Sequence, residues 1–446
     1  MRESILILGA GIMQGPAIRT AKEMGLFTVA ADGDPLAACA SMADRFECVD
    51  LKDREGMEKL ARSLLSDSGA KFGALPKTRL GGIMTAGTDF STTVAWVAER
   101  LGFPGIPYEA ALNASDKGRM RSCFKKAGIP SPDFIIITKV PEKDIAGAPV
   151  TGADAAERGL SYPVVVKPVD NMGGRGCRRA DNFDELREAA ADALRFSRSG
   201  RAIVESFMEG PEFSVDAVVY RGEITICGLA DRHIFFPPYF IEMGHTMPTR
   251  LESGRQRMLL AAFDAGVRAL GIAGENCCGA AKGDIKLTPS GPMIGEIAAR
   301  LSGGYMSGWT YPYASGAEPT RGAILAALGR KPEGLRSARS WTCAERAFIS
   351  IPGKVRDILD TEKARNTRNV RDLFLRAERG SAVKFPENNV GKCGNVIAAA
   401  PDRESAVSAA EEAAAAVLIR LNAPDPETAA FLGAASLPGA FPPGAF

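Results

Sequence analysis

Short apolar runs alternate with helical stretches through the first part of the chain. A strand is expected over residues 4–8, followed by Gly9-Ala10-Gly11-Ile12-Met13-Gln14-Gly15 and a helix to about Gly25. A second strand, Phe27 to Ala31, ends at Asp32. This is a βαβ opening with glycines at the turn and an acid about twenty residues on, close to a dinucleotide fingerprint. Its spacing is G-x-G-x-x-x-G, which many doubly wound domains carry without a nicotinamide. The apolar Gly82-Ile83-Met84-Thr85 and a helix around Ala95-Trp96-Val97-Ala98 extend the pattern, until Gly102-Phe103-Pro104-Gly105-Ile106-Pro107 breaks it. A polar helix is expected from Asn113 through Lys117 to Lys126, ending at Gly128-Ile129-Pro130-Ser131-Pro132.

Residues 139–160 read as loop-rich. A strand, Tyr162-Pro163-Val164-Val165-Val166, then delivers Lys167-Pro168 and a glycine loop, Asp170-Asn171-Met172-Gly173-Gly174-Arg175-Gly176. An acidic, alanine-rich helix over 184–196 leads to the strand Ala202-Ile203-Val204-Glu205, and Phe207-Met208-Glu209-Gly210-Pro211-Glu212 leads into another. Beyond about residue 336 the pattern changes. Pro352-Gly353-Lys354, Ala382-Val383-Lys384-Phe385 and Asn395-Val396-Ile397-Ala398-Ala399 read as strands, and a final alanine-rich helix spans about 405–421. The last residues, rich in Ala, Pro and Gly, read as an extended tail.

The segment from Gly283 to Gly304 reads as a hairpin with one acid on each strand. Asp284 lies in one apolar-alternating run, Ser290-Gly291-Pro292 is turn chemistry, and Glu296 lies in the returning run. Carboxylates brought together on facing strands repel, and a divalent cation is the commonest reason for them to coexist. Arg300 adds a permanent positive fork suited to carboxylate or phosphate. On these residues alone, a metal and phosphate site and a surface ion pair are both open.

At 446 residues the chain has room for about three domains. A net charge of +2 argues against a dominant polyanion-binding surface, so no nucleic-acid partner is expected. No apolar run reaches membrane-spanning length, and the N-terminal Arg2 to Leu8 lacks the long apolar stretch of a signal peptide. Cytoplasmic location is the default. Nine cysteines without a C-x-x-C pair read as reduced thiols, with Cys277-Cys278 as buried small residues and Cys177 as a bystander of the glycine loop.

A strand ending in Lys167-Pro168, a glycine loop without Walker spacing, Glu205 at a strand end and paired acids on a hairpin occur here in one order. That order resembles the ATP-grasp ligase superfamily over roughly residues 1–335. The remainder resembles the tail domain of its carboxylate–amine ligases, a group that includes L-amino acid ligases and purine-biosynthesis enzymes. The resemblance implies a mixed α/β and α+β protein in three parts. They are an N-terminal doubly wound parallel sheet domain (1–112), an ATP-grasp domain (113–335, lid about 130–207) and a small C-terminal α+β domain with a tail (336–446).

It implies ATP and Mg²⁺ as cofactors. Lys117 and Lys167 would contact the phosphates, and Gly173, Gly174 and Gly176 would form the lid loop. Glu205, Phe207 and Met208 would form the hinge that meets adenine, Glu212 would accept from the ribose, and Asp284 and Glu296 would hold Mg²⁺. Ala298 stands where the family commonly has an asparagine that helps bind a second metal. Arg300 would hold an acyl phosphate or its tetrahedral successor.

Both histidines of the chain lie between Arg232 and Pro248, and Glu242-Met243-Gly244-His245-Thr246-Met247-Pro248 resembles the acceptor-side element of carboxylate–amine ligases. His245, and less so His233, would orient or deprotonate the amine, although a buried histidine is as often structural. The activity implied is an ADP-forming carboxylate–amine ligase that makes an amide or peptide bond through an acyl phosphate. Its substrates would be a small carboxylate and an amine of amino-acid type, and its assembly a homodimer. A purine-pathway ribonucleotide carboxylase or formyltransferase and a non-catalytic nucleotide-binding module are the alternatives.

Overall fold

The computed structural model describes residues 2–66, 78–146, 160–422 and 426–435. The chain divides into two compact units. One comprises Met1–Ser131, Phe213–Leu229 and Thr249–Ser340; the other comprises Pro132–Glu212, Ala230–Pro248 and Trp341–Phe446.

The first unit opens on a parallel sheet in the order Arg45–Cys48, Phe27–Asp32, Arg2–Leu8, Thr78–Thr85. Ile5 to Leu8 are all buried, because helices cover both faces of a parallel sheet and its strands then read as continuous apolar runs. The glycine turn after the first strand bends at Gly9, whose φ of 96° suits only glycine. Asp32 accepts the Ala10 N–H at 2.8 Å, so its carboxylate braces the turn itself.

The same unit holds a second group of strands, in which Gly291–Ala298 borders Cys278–Thr288 and that strand borders Glu212–Tyr220. Along Cys278–Thr288, Gly283 and Ile285 alternate with Lys282 and Asp284. Ile285, Ile294 and Ile297 pack with Phe124 of the helix Lys117–Lys126 and with Phe263 and Val267 of the helix Ser253–Ala269. The opposite face is thereby left to the polar residues.

In the second unit an antiparallel sheet runs Phe134–Ile137, Ala202–Ser206, Val164–Pro168, Arg178–Ala180, with the helix Phe183–Phe196 supplying its apolar cover. A further antiparallel set continues from the end of Glu223–Phe235 through Ile241–Met247, Thr342–Phe348 and Gly394–Ala400 to Val370–Leu375. The helix Arg403–Ala416 covers one face through Ala409 and Ala410 against Ala344 and Ala398.

Several expectations are corrected. The polar helix expected from Asn113 is two helices, Tyr108–Ser115 and Lys117–Lys126. They are separated at Asp116, whose carboxylate caps the second by accepting the Arg119 N–H at 3.0 Å. The alanine-rich helix ends at Ala416, and Leu418–Leu421 pairs as a strand with Gly353–Leu359. Part of the expected tail, Pro426–Ala435, is helical; residues 436–446 lie outside the described residues, as do 147–159 of the loop-rich stretch. All nine cysteines are free thiols. Among the described residues no helix is long and apolar enough to cross a membrane.

Candidate functional site

The candidate residues fall into two constellations, one in each unit. In the first unit, Asp284 and Glu296 are direct partners across the hairpin. The register slips between Asp284 and Ile285, which pairs with Ile294, so Gly295 is an extra residue in the returning strand. The helix Lys117–Lys126 grips that bulge. The fully buried Arg121 donates from Nη2 to the Gly295 carbonyl at 2.5 Å, and Lys117, one helical turn earlier on the same face, lies 3.4 Å from Glu296.

Like charges directly opposite each other destabilise a sheet, and here each acid has its own ammonium. Lys117 serves Glu296, and Lys282 is ion-paired with Asp284, which also accepts from Ser214 Oγ at 3.2 Å. Lys282 stands directly across from Ala298, so a fixed cation lies beside that position.

The two acids suit a hard divalent cation, which takes oxygen ligands. Among the described residues no group of three His, Cys, Asp or Glu side chains could hold a metal, so the chain would supply two carboxylates and a bound phosphate and water the rest. Arg300 donates from Nη1 to the Leu301 carbonyl at 3.1 Å, while its Nε is buried with no hydrogen-bond partner. Beyond it, Tyr305 is held at a φ of 66° and opens a π-helical turn over Met306–Thr310. Strained backbone and π-turns of this kind cluster at functional sites.

Sequence reasoning missed Asp216, which lies two residues beyond Ser214 on the same strand face. It is fully buried and accepts from both the backbone N–H and the hydroxyl of Ser302. Burial pushes its carboxyl up to about 6, against the opposing pull of the Ser302 donors, Lys282 and Arg300.

In the second unit, Lys167 lies 2.8 Å from Glu205, which is almost wholly buried. Gly173, Gly174 and Gly176 have φ values of 69°, 73° and 69°, a loop that only glycine forms without strain. Asn389 donates its backbone N–H to the Gly173 carbonyl at 2.9 Å, while its side chain accepts the Glu242 N–H at 2.8 Å. No sequence signal pointed to Asn389. Phe207 donates its N–H to the Pro163 carbonyl at 3.1 Å and stacks on Phe240, and Met208 follows in the connection to Glu212.

Arg232 is ion-paired with both Glu212 and Glu242. In the sheet it pairs with His245, which in turn pairs with Glu345, so all three lie in one row across three strands. Glu242 joins that face because the ladder slips by one residue after Gly244, leaving Met243 extra. Without the slip, residues three apart on a strand would face opposite ways. His245 is completely buried, with Nδ1 3.2 Å from Glu345 and 3.9 Å from Glu242 but in hydrogen-bonding geometry with neither. Burial works to raise the Glu242 carboxyl, but Arg232 and Lys392 outweigh it and hold the group down at about 2.

His233 is not part of this row. Its partner is Gly244, its Nε2 lies 3.0 Å from Thr246 Oγ1 on the other face, and burial together with Arg346 lowers it to about 4. The imidazole there is neutral near pH 7. A cavity of about 420 Å³ in the same unit is lined by Arg376, Lys384, Asn388 and Lys392 among others.

Residues 160–306 match the model of the ATP-grasp domain, and residues 347–422 match L-amino acid ligase C-terminal domain 2. The chain carries an ATP-grasp domain. More particularly, its C-terminal part carries a domain of the kind found in L-amino acid ligases, following a parallel-sheet N-terminal region and the ATP-grasp domain in the sequence. Carnosine synthase 1 of Gallus gallus is 26% identical over 343 residues, which are 74% of this chain and 36% of that protein. The chain spans under two thirds of the length of the curated relatives it matches.

L-amino acid ligase from Bacillus licheniformis has the same fold, with a TM-score of 0.76 at 20% identity, covering 95% of this chain and 99% of that one. Phosphoribosylglycinamide synthetase from Anaerococcus prevotii gives 0.71 at 20% identity, covering 95% and 100%.

The raised carboxyl of Asp216 sets a pH dependence of stability. Unfolded, it titrates near about 4; folded, at about 6, so the folded state binds the proton more tightly. The stability this gives is complete below pH about 4 and is lost as the pH rises through about 6, amounting to roughly 3 kcal/mol. Urea unfolding across this range should show that decline, and Asp216→Asn should flatten it. An unchanged slope in the variant would remove Asp216 as its source.

Proposed function

We propose that the protein is an ATP-dependent, ADP-forming ligase that joins a small carboxylate to an amine, both of amino-acid type. The observation that carries this reading is the hairpin. Two facing carboxylates are each compensated by a lysine, and Arg300 beyond them carries a buried Nε without a partner. That is a place for anionic phosphoryl groups and a hard cation. The match of residues 347–422 to a domain of L-amino acid ligases supports amino acids over a ribonucleotide. So does Gly303 to Pro312, which contains no basic residue to grip a ribonucleotide phosphate.

In this reading the carboxylate of one substrate takes the γ-phosphoryl group of ATP and ADP leaves. The neutral amine of the second then attacks the acyl phosphate and phosphate departs, so that carboxylate, amine and ATP become amide, ADP and phosphate. Lys117 and Lys167 follow the phosphates, each drawn from a carboxylate that holds it in this structure. Gly173, Gly174 and Gly176 bring bare backbone over the phosphates, Glu205 to Met208 meet the base, and Glu212 meets the ribose.

Asp284 and Glu296 would hold Mg²⁺, which offsets phosphoryl charge when bound. Arg300 steadies the oxygens on which negative charge grows. Glu242 and His245 attend the amine. The three-part division at residues 112 and 335 belongs to this reading, with the reacting groups in the middle part.

The test is ADP release with Mg²⁺-ATP and amino acids, singly and in pairs, with mass spectrometry of active mixtures. Release that requires two substrates, with a product lighter than their sum by one water, is expected. Arg300→Met should lower the rate by about a hundredfold or more while nucleotide binding persists. Nucleotide binding without ADP release across the panel would return the protein to the binding-module or ribonucleotide reading.

A further inference from the structure

Strands far apart in sequence assemble a buried ionic cluster in the second unit. Glu212, Arg232 and Glu242 form its more open end, with side chains 18%, 9% and 11% exposed. His245 and Glu345 form the closed end, at 0% and 1%. Lys392, itself buried, donates to the Glu242 carbonyl at 2.8 Å. The three carboxylates Glu212, Glu242 and Glu345 are gathered around Arg232 and Lys392, and buried charge of this kind is tolerated only where it is paired.

Glu345 is held from both sides. One oxygen accepts from the Asn395 side-chain amide, also fully buried, and the other faces His245 Nδ1 at 3.2 Å. Asn395 lies two residues before Ile397, the partner of Glu345, and therefore on the same face. His245 is closed to solvent, and the carboxylate nearest its Nδ1 is that of Glu345 rather than that of Glu242.

We propose that Glu345, anchored by Asn395, is a positioning residue for the amine substrate. It fixes the imidazole of His245 against Glu242, and the Glu242 carboxylate at the open end of the cluster receives the ammonium of an amino-acid acceptor. Glu345 does not itself touch substrate. The amine role rests on the ligase reading given above, whereas the placement of the ring does not.

Because the chain has two histidines, selective ¹⁵N-histidine labelling reads the ring directly, with His233→Gln to assign the signals. In the full-length wild type, His245 should carry its proton on Nδ1. Glu345→Gln should weaken that preference and raise the KM for the amine by about tenfold or more. It should leave the KM for ATP within about twofold, and Glu345→Asp should restore part of the amine affinity.

A bare Nδ1 in the wild type would overturn the proposal without any variant. So would an unchanged amine KM in a Glu345→Gln protein that melts like the wild type. Failure of every amine to drive ADP release would sink the ligase reading and the amine role with it, while the nitrogen spectrum would still decide whether Glu345 orients the ring.

Discussion

Asp284 faces Glu296 directly across two strands, and much of the first unit is arranged around that repulsion. Each carboxylate is matched by a lysine, and both lysines are largely buried. The bulge at Gly295 is pinned by a buried arginine on the helix that also provides Lys117. A pair of ammoniums on a pair of carboxylates is stable enough to fold. It is also exchangeable, because phosphate oxygens can draw the lysines away while a hard cation takes over the carboxylates. The hairpin therefore holds its charge in a form that a nucleotide can rearrange.

The second unit solves the same problem of buried charge differently. A single guanidinium is shared by Glu212 and Glu242, and burial, which raises the Glu242 carboxyl, is outweighed by the sum of the charges around it, Arg232 and Lys392 foremost. The cluster is graded, from partly open acids at one end to a sealed histidine and glutamate at the other.

The hairpin was legible because its signals are local. Turn residues, period-two alternation and two acids equidistant from the turn all lie within one short segment. The parallel sheet was legible for the same reason, its strands being short continuous apolar runs. The cluster around Arg232 was legible only in part. Arg232, Glu242 and His245 are close in sequence, but strict alternation would have put Glu242 and His245 on opposite faces, and only the slip at Met243 unites them. Glu345, Asn389, Lys392 and Asn395 reach the same region from about a hundred or more residues away through sheet register, which no local pattern encodes. His233 shows the converse: near the motif in sequence, it belongs to the other face of the sheet. The break at Asp116 was missed because the polar run around it has a continuous helical appearance, and the cap is visible only once the Asp116 carboxylate meets the Arg119 N–H.

In the proposed reading Asp284 and Glu296 exchange their lysines for a divalent cation when nucleotide arrives. Electron paramagnetic resonance of Mn²⁺, titrated into the protein with and without ATP, tests this exchange. Weak binding of Mn²⁺ alone is expected, with tight binding in the presence of the nucleotide and loss of the tight component in Asp284→Asn and in Glu296→Gln. Mn²⁺ bound with undiminished affinity in the variant carrying both substitutions would place the metal elsewhere and rule the exchange out.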